Sequence, residues 1–281
     1  MIDTHVHFWN ADHLSYPAAK PGSPYLEPYR PEDFAAHSAG CGVDGYLFVE
    51  VGVTPAQILD EVAWVERIAD GAPAGTPRLR GIVARAPFDA ADPEAILNGL
   101  AANPRAVGVR RGLKSVGVHS QAMGEILRGV RALAPRGLSF DLLVRADELP
   151  LAERVAAECP DTRLILDHCG NPEIRDGVSA RWREGVRSLA GRPNVACKLS
   201  GLTTCADHDH WTTDDLRPAV EHVFESFGGD RILYGGDWPI SLRATSYARW
   251  VATVDELLGD LSGDDRQKVL RENAIRWYDL E

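Results

Sequence analysis

No Cys-x-x-Cys pair occurs among the five cysteines, Cys41, Cys159, Cys169, Cys197 and Cys205, and five is an odd number. That usage excludes a disulfide framework and a thiolate zinc site, and it points to a reducing, cytoplasmic compartment. Positive charge is scarce. The chain carries 30 Lys and Arg against 41 Asp and Glu, a formal net charge of -11, which argues against a nucleic-acid surface because backbone phosphates call for the opposite balance. No uninterrupted apolar stretch approaches the roughly 20 residues of a membrane span, and the N-terminus lacks a basic region followed by an apolar segment. Gly-x-Gly-x-x-Gly and phosphate-loop patterns are missing too, so a nucleotide cofactor is not indicated. The expectation is a soluble protein acting on a small molecule, with assembly into a homo-oligomer left open.

What is present is a long chain with an apolar majority in its short runs. At 281 residues and 44% hydrophobic content it can bury one large core, and residues 1–281 are read as a single domain. After a first β-rich run at 2–7 comes a segment broken by Pro, which is read as a long loop whose aromatics, Trp9, Tyr16, Tyr25 and Tyr29, could wall a pocket or pin the loop. From residue 31 onward helical stretches alternate with short β-rich runs. The runs at 45–50, 79–84, 106–110, 138–144, 163–168, 195–199 and 231–234 join the first to make eight strands, each followed by a helical stretch. Alternating β and α elements imply parallel strands, and eight such units close into a (β/α)8 TIM barrel whose active site lies at the C-terminal strand ends.

His5-Val6-His7 then becomes the centre of attention, because residues two apart on a strand share a face and two imidazoles converge there. The run from 163 ends in Asp167-His168 and that from 231 leads into Gly235-Gly236-Asp237. Glu50, Arg110, Arg111, Arg145, His168, Lys198 and Asp237 all fall at or just after inferred strand ends, where side chains are placed for catalysis. Mutual salt bridges are the alternative for any one of them. Arg110 and Arg111 cannot both face inward on a regular strand; Arg110 is taken as the inward one and Arg111 is left to the rim or a neighbouring carboxylate. Cys169 beside His168 is read as a buried strand-end thiol rather than a nucleophile. Asp207-His208-Asp209-His210 is read as a solvated loop rather than a second metal site.

Five segments carry a resemblance: residues 2–9 with His5 and His7, the Phe140 to Arg145 run, Leu166 to Pro172, Cys197 to Leu202, and Tyr234-Gly235-Gly236-Asp237-Trp238-Pro239. Together, and in this order, they resemble the amidohydrolase-2 branch of the amidohydrolase superfamily, and within it the lactone hydrolases of sugar acids, pyrone dicarboxylates and muconolactones. The resemblance implies a barrel hydrolase with His5, His7, His168 and Asp237 at its centre and Asp237 as general base. Many superfamily members have a further His after strand five, where this chain reads Leu143-Val144-Arg145, so at most one divalent ion, zinc by its taste for imidazole, is expected. Catalysis without a metal is the alternative, because some lactonases of the group need none; His donors and Lys198 would then polarise the carbonyl. Arg110, Arg111, Lys198, Glu50, Trp9 and Trp238 are assigned to the substrate, and Asp237, His168 and Lys198 to the chemistry. The reading is thus a hydrolase opening a lactone of a polyhydroxylated or carboxylated acid. A metal-dependent decarboxylase on the same scaffold and a non-catalytic small-molecule binder are the two rivals.

Overall fold

A computed structural model describes residues 1–17, 27–114, 116–117 and 120–281. Its eight strands are β1 (Ile2–Val6), β2 (Gly45–Val49), β3 (Arg78–Arg85), β4 (Ala106–Gly112), β5 (Ser139–Leu143), β6 (Leu164–Leu166), β7 (Val195–Leu199) and β8 (Ile232–Tyr234). They pair in sequence order, every ladder parallel. Closure is made just past the end of β8, where Val6 bridges Trp238, and the His7 amide donates to the Trp238 carbonyl at 2.8 Å. The eight strands therefore form a nearly closed (β/α)8 barrel, as the alternation of elements required.

The helices are α1 (Pro31–His37), α2 (Ile58–Asp70), α3 (Pro93–Ala101), α4 (Gln121–Arg131), α5 (Leu149–Glu158), α6 (Ala180–Ala190), α7 (Thr213–Phe227), α8 (Tyr247–Leu257), α9 (Gly263–Gln267) and α10 (Asn273–Tyr278). Helix α4 shows why they form. Met123, Ile126, Leu127 and Val130 make one buried stripe at helical spacing, and the Ser120 hydroxyl accepts from the Met123 amide as an N-cap. Among the described residues no helix is long and apolar enough to cross a membrane.

Two apolar regions follow from the two faces of the strands. The larger lies between the sheet's outer face and the helices. The smaller fills the lower barrel interior: Ile2, Leu47, Val83, Ile165, Ala196 and Leu233 meet Ala274, Trp277 and Tyr278 of α10. Helix α10 thus plugs the N-terminal end of the barrel, and Asn273 fastens it by donating to the Gly229 and Ile232 carbonyls at 2.7 and 2.8 Å.

One expected element is shorter than its apolar run. β6 stops at Leu166, and residues Asp167 to Gly170 form a tight turn in which His168 and Cys169 are left-handed, with φ of 53° each. His168 therefore reaches the mouth from a turn rather than by strand alternation.

Candidate active site

Each side chain at the barrel mouth owes its direction to a local constraint. The buried Asp3 carboxylate accepts from the amides of His5 (2.9 Å) and Gly236 (2.8 Å) and from the Tyr247 hydroxyl (2.7 Å), tying β1 to the turn after β8 and so His5 to Asp237. Burial pushes its carboxyl up to about 6, against those hydrogen bonds. Gly236 leaves room for this clamp: a Cβ there would lie 2.4 Å from Asp3 Oδ2. Asp237 itself is left-handed, with φ of 52°, a conformation that Asp and Asn tolerate better than most residues. Across the mouth, His168 Nδ1 is 2.9 Å from Ser200 Oγ, and a Cβ on Gly201 would come within 2.5 Å of the same nitrogen.

The His7 tautomer follows from its partner. His7 Nδ1 lies 2.7 Å from the Val49 carbonyl, which can only accept, so the proton is on Nδ1 and the Nε2 lone pair faces Asp237 Oδ1 at 3.5 Å. His5 Nε2 lies 3.2 Å from Arg110 Nη1, and its Nδ1 lies 3.3 Å from the Lys198 ammonium and 3.4 Å from Asp167 Oδ1. Its Nε2 is also 3.8 Å from Asp237 Oδ1. Burial, aided by Lys198 and the neighbouring His168 and opposed by Asp167, holds His5 well below the usual imidazole range, and burial lowers His168 as well. Burial would raise Asp237, but the surrounding His168, His7 and His5 outweigh it and hold the carboxyl down at about 2.

The donors of His5, His168 and Asp237 all lie within 4.8 Å of one another, and His7 Nε2 stands beside Asp237. Donor atoms of His5, His7, His168 and Asp237 thus converge on one spot, an arrangement that a divalent cation satisfies. Imidazole and carboxylate are a zinc-type donor set, so the residues fit such an ion.

Above this centre opens a cavity of about 370 Å³, lined by His7, Glu50, Arg110, His168, Asn171, Asp237 and Arg243 among others. A second cavity, of about 510 Å³, shares Leu143, Asn171 and Thr204 with it and carries Arg145 on its wall. The charged groups expected at strand ends sort themselves by pairing. Arg110 and Glu50 do face the cavity, but they are bound to each other: Nε donates to Glu50 Oε1 at 2.9 Å and Nη2 to the Glu50 carbonyl at 2.5 Å.

Four placements correct the sequence reading. Arg111 points away from the mouth to Asp89, 3.5 Å off, because it follows Arg110 on a pleated strand. Lys198 shows no exposed surface at all; it lies beneath His5, 2.7 Å from Asp141 Oδ2 and 2.9 Å from Asp167 Oδ1, so it is a buried counter-ion and offers nothing directly to a substrate or a carbonyl. Trp238, one residue past Asp237, turns to the outer side and is buried among Phe8, Tyr29 and Phe34. Trp9 pins the following loop instead of walling the cavity: its backbone pairs with Tyr29 and its indole nitrogen donates to the Glu27 carbonyl at 2.7 Å. Tyr25 lies outside the described residues. Cys169 is buried with its thiol toward the Lys198 carbonyl, and His210 stands exposed beside Asp207.

Sequence reasoning left Asp3, Asp167, Asn171 and Arg243 without roles. Asp167 and Asn171 sit inside the His168 segment, so their adjacency to a ligand-type His was the available signal. Arg243 comes from a turn six residues past Asp237, Ile240–Arg243, and nothing in the pattern marks it.

The chain is 29% identical over 286 residues to a Burkholderia ambifaria protein named L-fucono-1,5-lactonase, covering 100% of this chain and 96% of that one. The solved structure of an amidohydrolase from Burkholderia multivorans with bound zinc is similar at a TM-score of 0.85 and 26% identity, over 100% of this chain and 99% of the other. A shorter similarity, 35% over 81 residues and covering 29% of this chain and 26% of the other, links it to 4-sulfomuconolactone hydrolase of Rhizobium radiobacter. The family model described as amidohydrolase matches residues 2–280, from the first strand to the helix that plugs the barrel, and the chain belongs to that family of hydrolases.

Proposed function

We propose that this hydrolase opens the ring of a sugar-acid or related carboxylated lactone, with Asp237 as the general base. The observation that carries the reading is the position of Asp237: a buried carboxylate, held ionised, projecting into a polar cavity between His7 and His168. The relatives named for lactone hydrolysis support the substrate class.

Ring opening needs a water oxygen to attack the acyl carbon, a proton to leave that water, and a proton to reach the departing alkoxide. Asp237 accepts the first proton and returns it to the alkoxide as the acyl–oxygen bond breaks. His5, His168 and Asp237, with His7 beside them, are the residues that would hold a zinc ion, which when bound supplies Lewis-acid polarisation of the carbonyl and acidity to water. Arg110, fixed by Glu50, and Arg243, which has no ion-pair partner among the described residues, face hydroxyl or carboxylate groups of the substrate from the cavity wall. Arg110 Nη1 also lies 3.2 Å from His5 Nε2. Asn171 is fixed by its own donation to the Val144 carbonyl at 2.8 Å, and its amide oxygen, which accepts from the Cys205 thiol at 3.7 Å, has a second lone pair for a substrate hydroxyl.

A screen of aldonolactones and carboxylated lactones, followed with a pH indicator at neutral pH, tests the assignment. Acid release from at least one lactone, lost in Asp237→Asn, is the expected result. Silence across both classes, with decarboxylation of an aromatic acid instead, would overturn it.

A further inference from the structure

Beneath His5, below the floor of the cavity, a line of buried charge runs down the barrel axis to the C-terminal helix. Lys198 Nζ is 2.9 Å from Asp167 Oδ1 and 2.7 Å from Asp141 Oδ2, and that second oxygen also accepts from the Tyr278 hydroxyl at 2.7 Å. The Lys198 ammonium further lies 5.5 Å from the centre of the Tyr278 ring. All four side chains are essentially without exposure, and Tyr278 rises from the plug at the opposite end of the barrel from the cavity. Lys198 is the link to the reacting centre, because its ammonium also lies 3.3 Å from His5 Nδ1, the nitrogen that Asp167 Oδ1 approaches at 3.4 Å.

We propose that Tyr278 is a positioning residue: acting through Asp141 and Lys198, its hydroxyl holds the His5 ring in the orientation that turns Nε2 toward Asp237. The proposal deepens the lactonase reading and rests on it for its kinetic readout alone. The physical argument is a competition for one ammonium. Two carboxylates share Lys198 in an interior where charge is poorly screened. A phenol hydrogen bond to Asp141 satisfies part of that carboxylate and leaves Lys198 free to serve Asp167. Without the hydroxyl, Asp141 draws Lys198 toward itself, and Asp167 and His5 Nδ1 both lose the ammonium beside them. Partners that orient a metal-type His in this way commonly carry a 10–100-fold effect on metal affinity or activity, and Tyr278 acts on such a partner at one further remove.

Tyr278→Phe is the test, because the ring and its contact with Lys198 remain and only the hydroxyl is lost. Three quantities are read in wild type, Tyr278→Phe, Trp277→Phe and the double variant Tyr278→Phe/Asp141→Asn: the imidazole ¹⁵N pattern of His5 by long-range ¹H–¹⁵N NMR, zinc affinity by chelator competition, and kcat and KM on the best lactone. Tyr278→Phe is expected to shift the His5 imidazole ¹⁵N pattern away from that of wild type, to weaken zinc roughly tenfold, and to lower kcat by a similar factor with KM little changed. Trp277→Phe, on the same helix but outside the charge line, is expected to match wild type in all three. The double variant is expected to recover the wild-type His5 pattern, since an amide no longer competes for Lys198. A wild-type His5 spectrum and zinc affinity in Tyr278→Phe overturns the proposal, as does equal loss in Trp277→Phe or failure of Asp141→Asn to rescue. The spectrum and the zinc titration need no substrate, so a shift in both with no lactone opened refutes the lactonase reading and leaves the relay standing.

Discussion

Replacing Asp237 by Asn exchanges one carboxylate oxygen for an amide nitrogen and leaves the shape of the side chain nearly unchanged. The left-handed backbone at this position, with φ of 52°, suits Asn as well as Asp, so the turn after β8 is retained. The carboxylate faces His7 Nε2 at 3.5 Å and His5 Nε2 at 3.8 Å, and its pull from 3.8 to about 2 corresponds to roughly 2.5 kcal/mol of stability near neutral pH, so Asp237→Asn should unfold at a lower temperature than wild type. The chemical loss is large. An amide does not take a proton from water near neutral pH, and loss of a general base slows a reaction by at least about two orders of magnitude, roughly 2.7 kcal/mol of barrier. The assay is kcat and KM on the lactone that the wild type opens fastest, beside calorimetric unfolding of both proteins. Asp237→Ala makes the structural comparison: it removes the same base and adds a further ~1 kcal/mol or more for a left-handed alanine, so it should unfold below Asp237→Asn. Asp237→Asn turnover above about a tenth of the wild-type rate would refute the base assignment.

Gly201→Ala should lower both the unfolding temperature and kcat, because its Cβ would lie 2.5 Å from His168 Nδ1 on a backbone with φ of 64°; wild-type values in both measurements would show that the turn has room to spare. Glu61 is fully buried on α2 with neither carboxylate oxygen hydrogen-bonded to a side chain, and burial, with Glu50 adding to it, pushes its carboxyl well above the ordinary 4.5. Above that ordinary value the unfolded chain has released the proton while the folded chain keeps it, so stability from this group falls by about 1.4 kcal/mol per pH unit until the folded-state carboxyl also ionises. Glu61→Gln should therefore gain in unfolding temperature over wild type as the pH rises from 5 to 8, and a difference independent of pH would contradict the argument. Elemental analysis should find at most one zinc-type ion per chain. Two tightly held ions would contradict a site of His5, His168 and Asp237, and full activity after chelation would pass the polarising role to His168 and Arg110.

The barrel was legible because its signal is repeated. Eight apolar runs, each followed by an amphipathic stretch, admit few other arrangements, and every run became a strand in the expected order. His5, His168 and Asp237 were legible as strand-end residues of ligand type, and the structure brings them together. Directions beyond the last paired residue were not legible. Trp9 and Trp238 carry suitable chemistry next to the right positions, yet the chain after the strand aims each of them outward, whereas the outward direction of Arg111, inside β4, was legible from the pleat. Lys198 was rightly placed on the inward face with Ala196 and Ser200, but its height along the barrel axis, and with it access to substrate, is not a property of strand alternation.

By itself, the sequence determined the class of fold, the parallel order of the strands and the end of the barrel at which ligand-type residues collect, because periodicity and alternation are local and act through the chain's own geometry. Only the tertiary structure decided which carboxylate each cation would take. Arg110 chose Glu50, 60 residues away, Lys198 chose Asp141 and Asp167, and Tyr278 came from the last helix to share Asp141. Those choices depend on distances across the barrel interior, where an unpaired charge costs several kcal/mol and the nearest opposite charge wins, and no spacing along the chain encodes them.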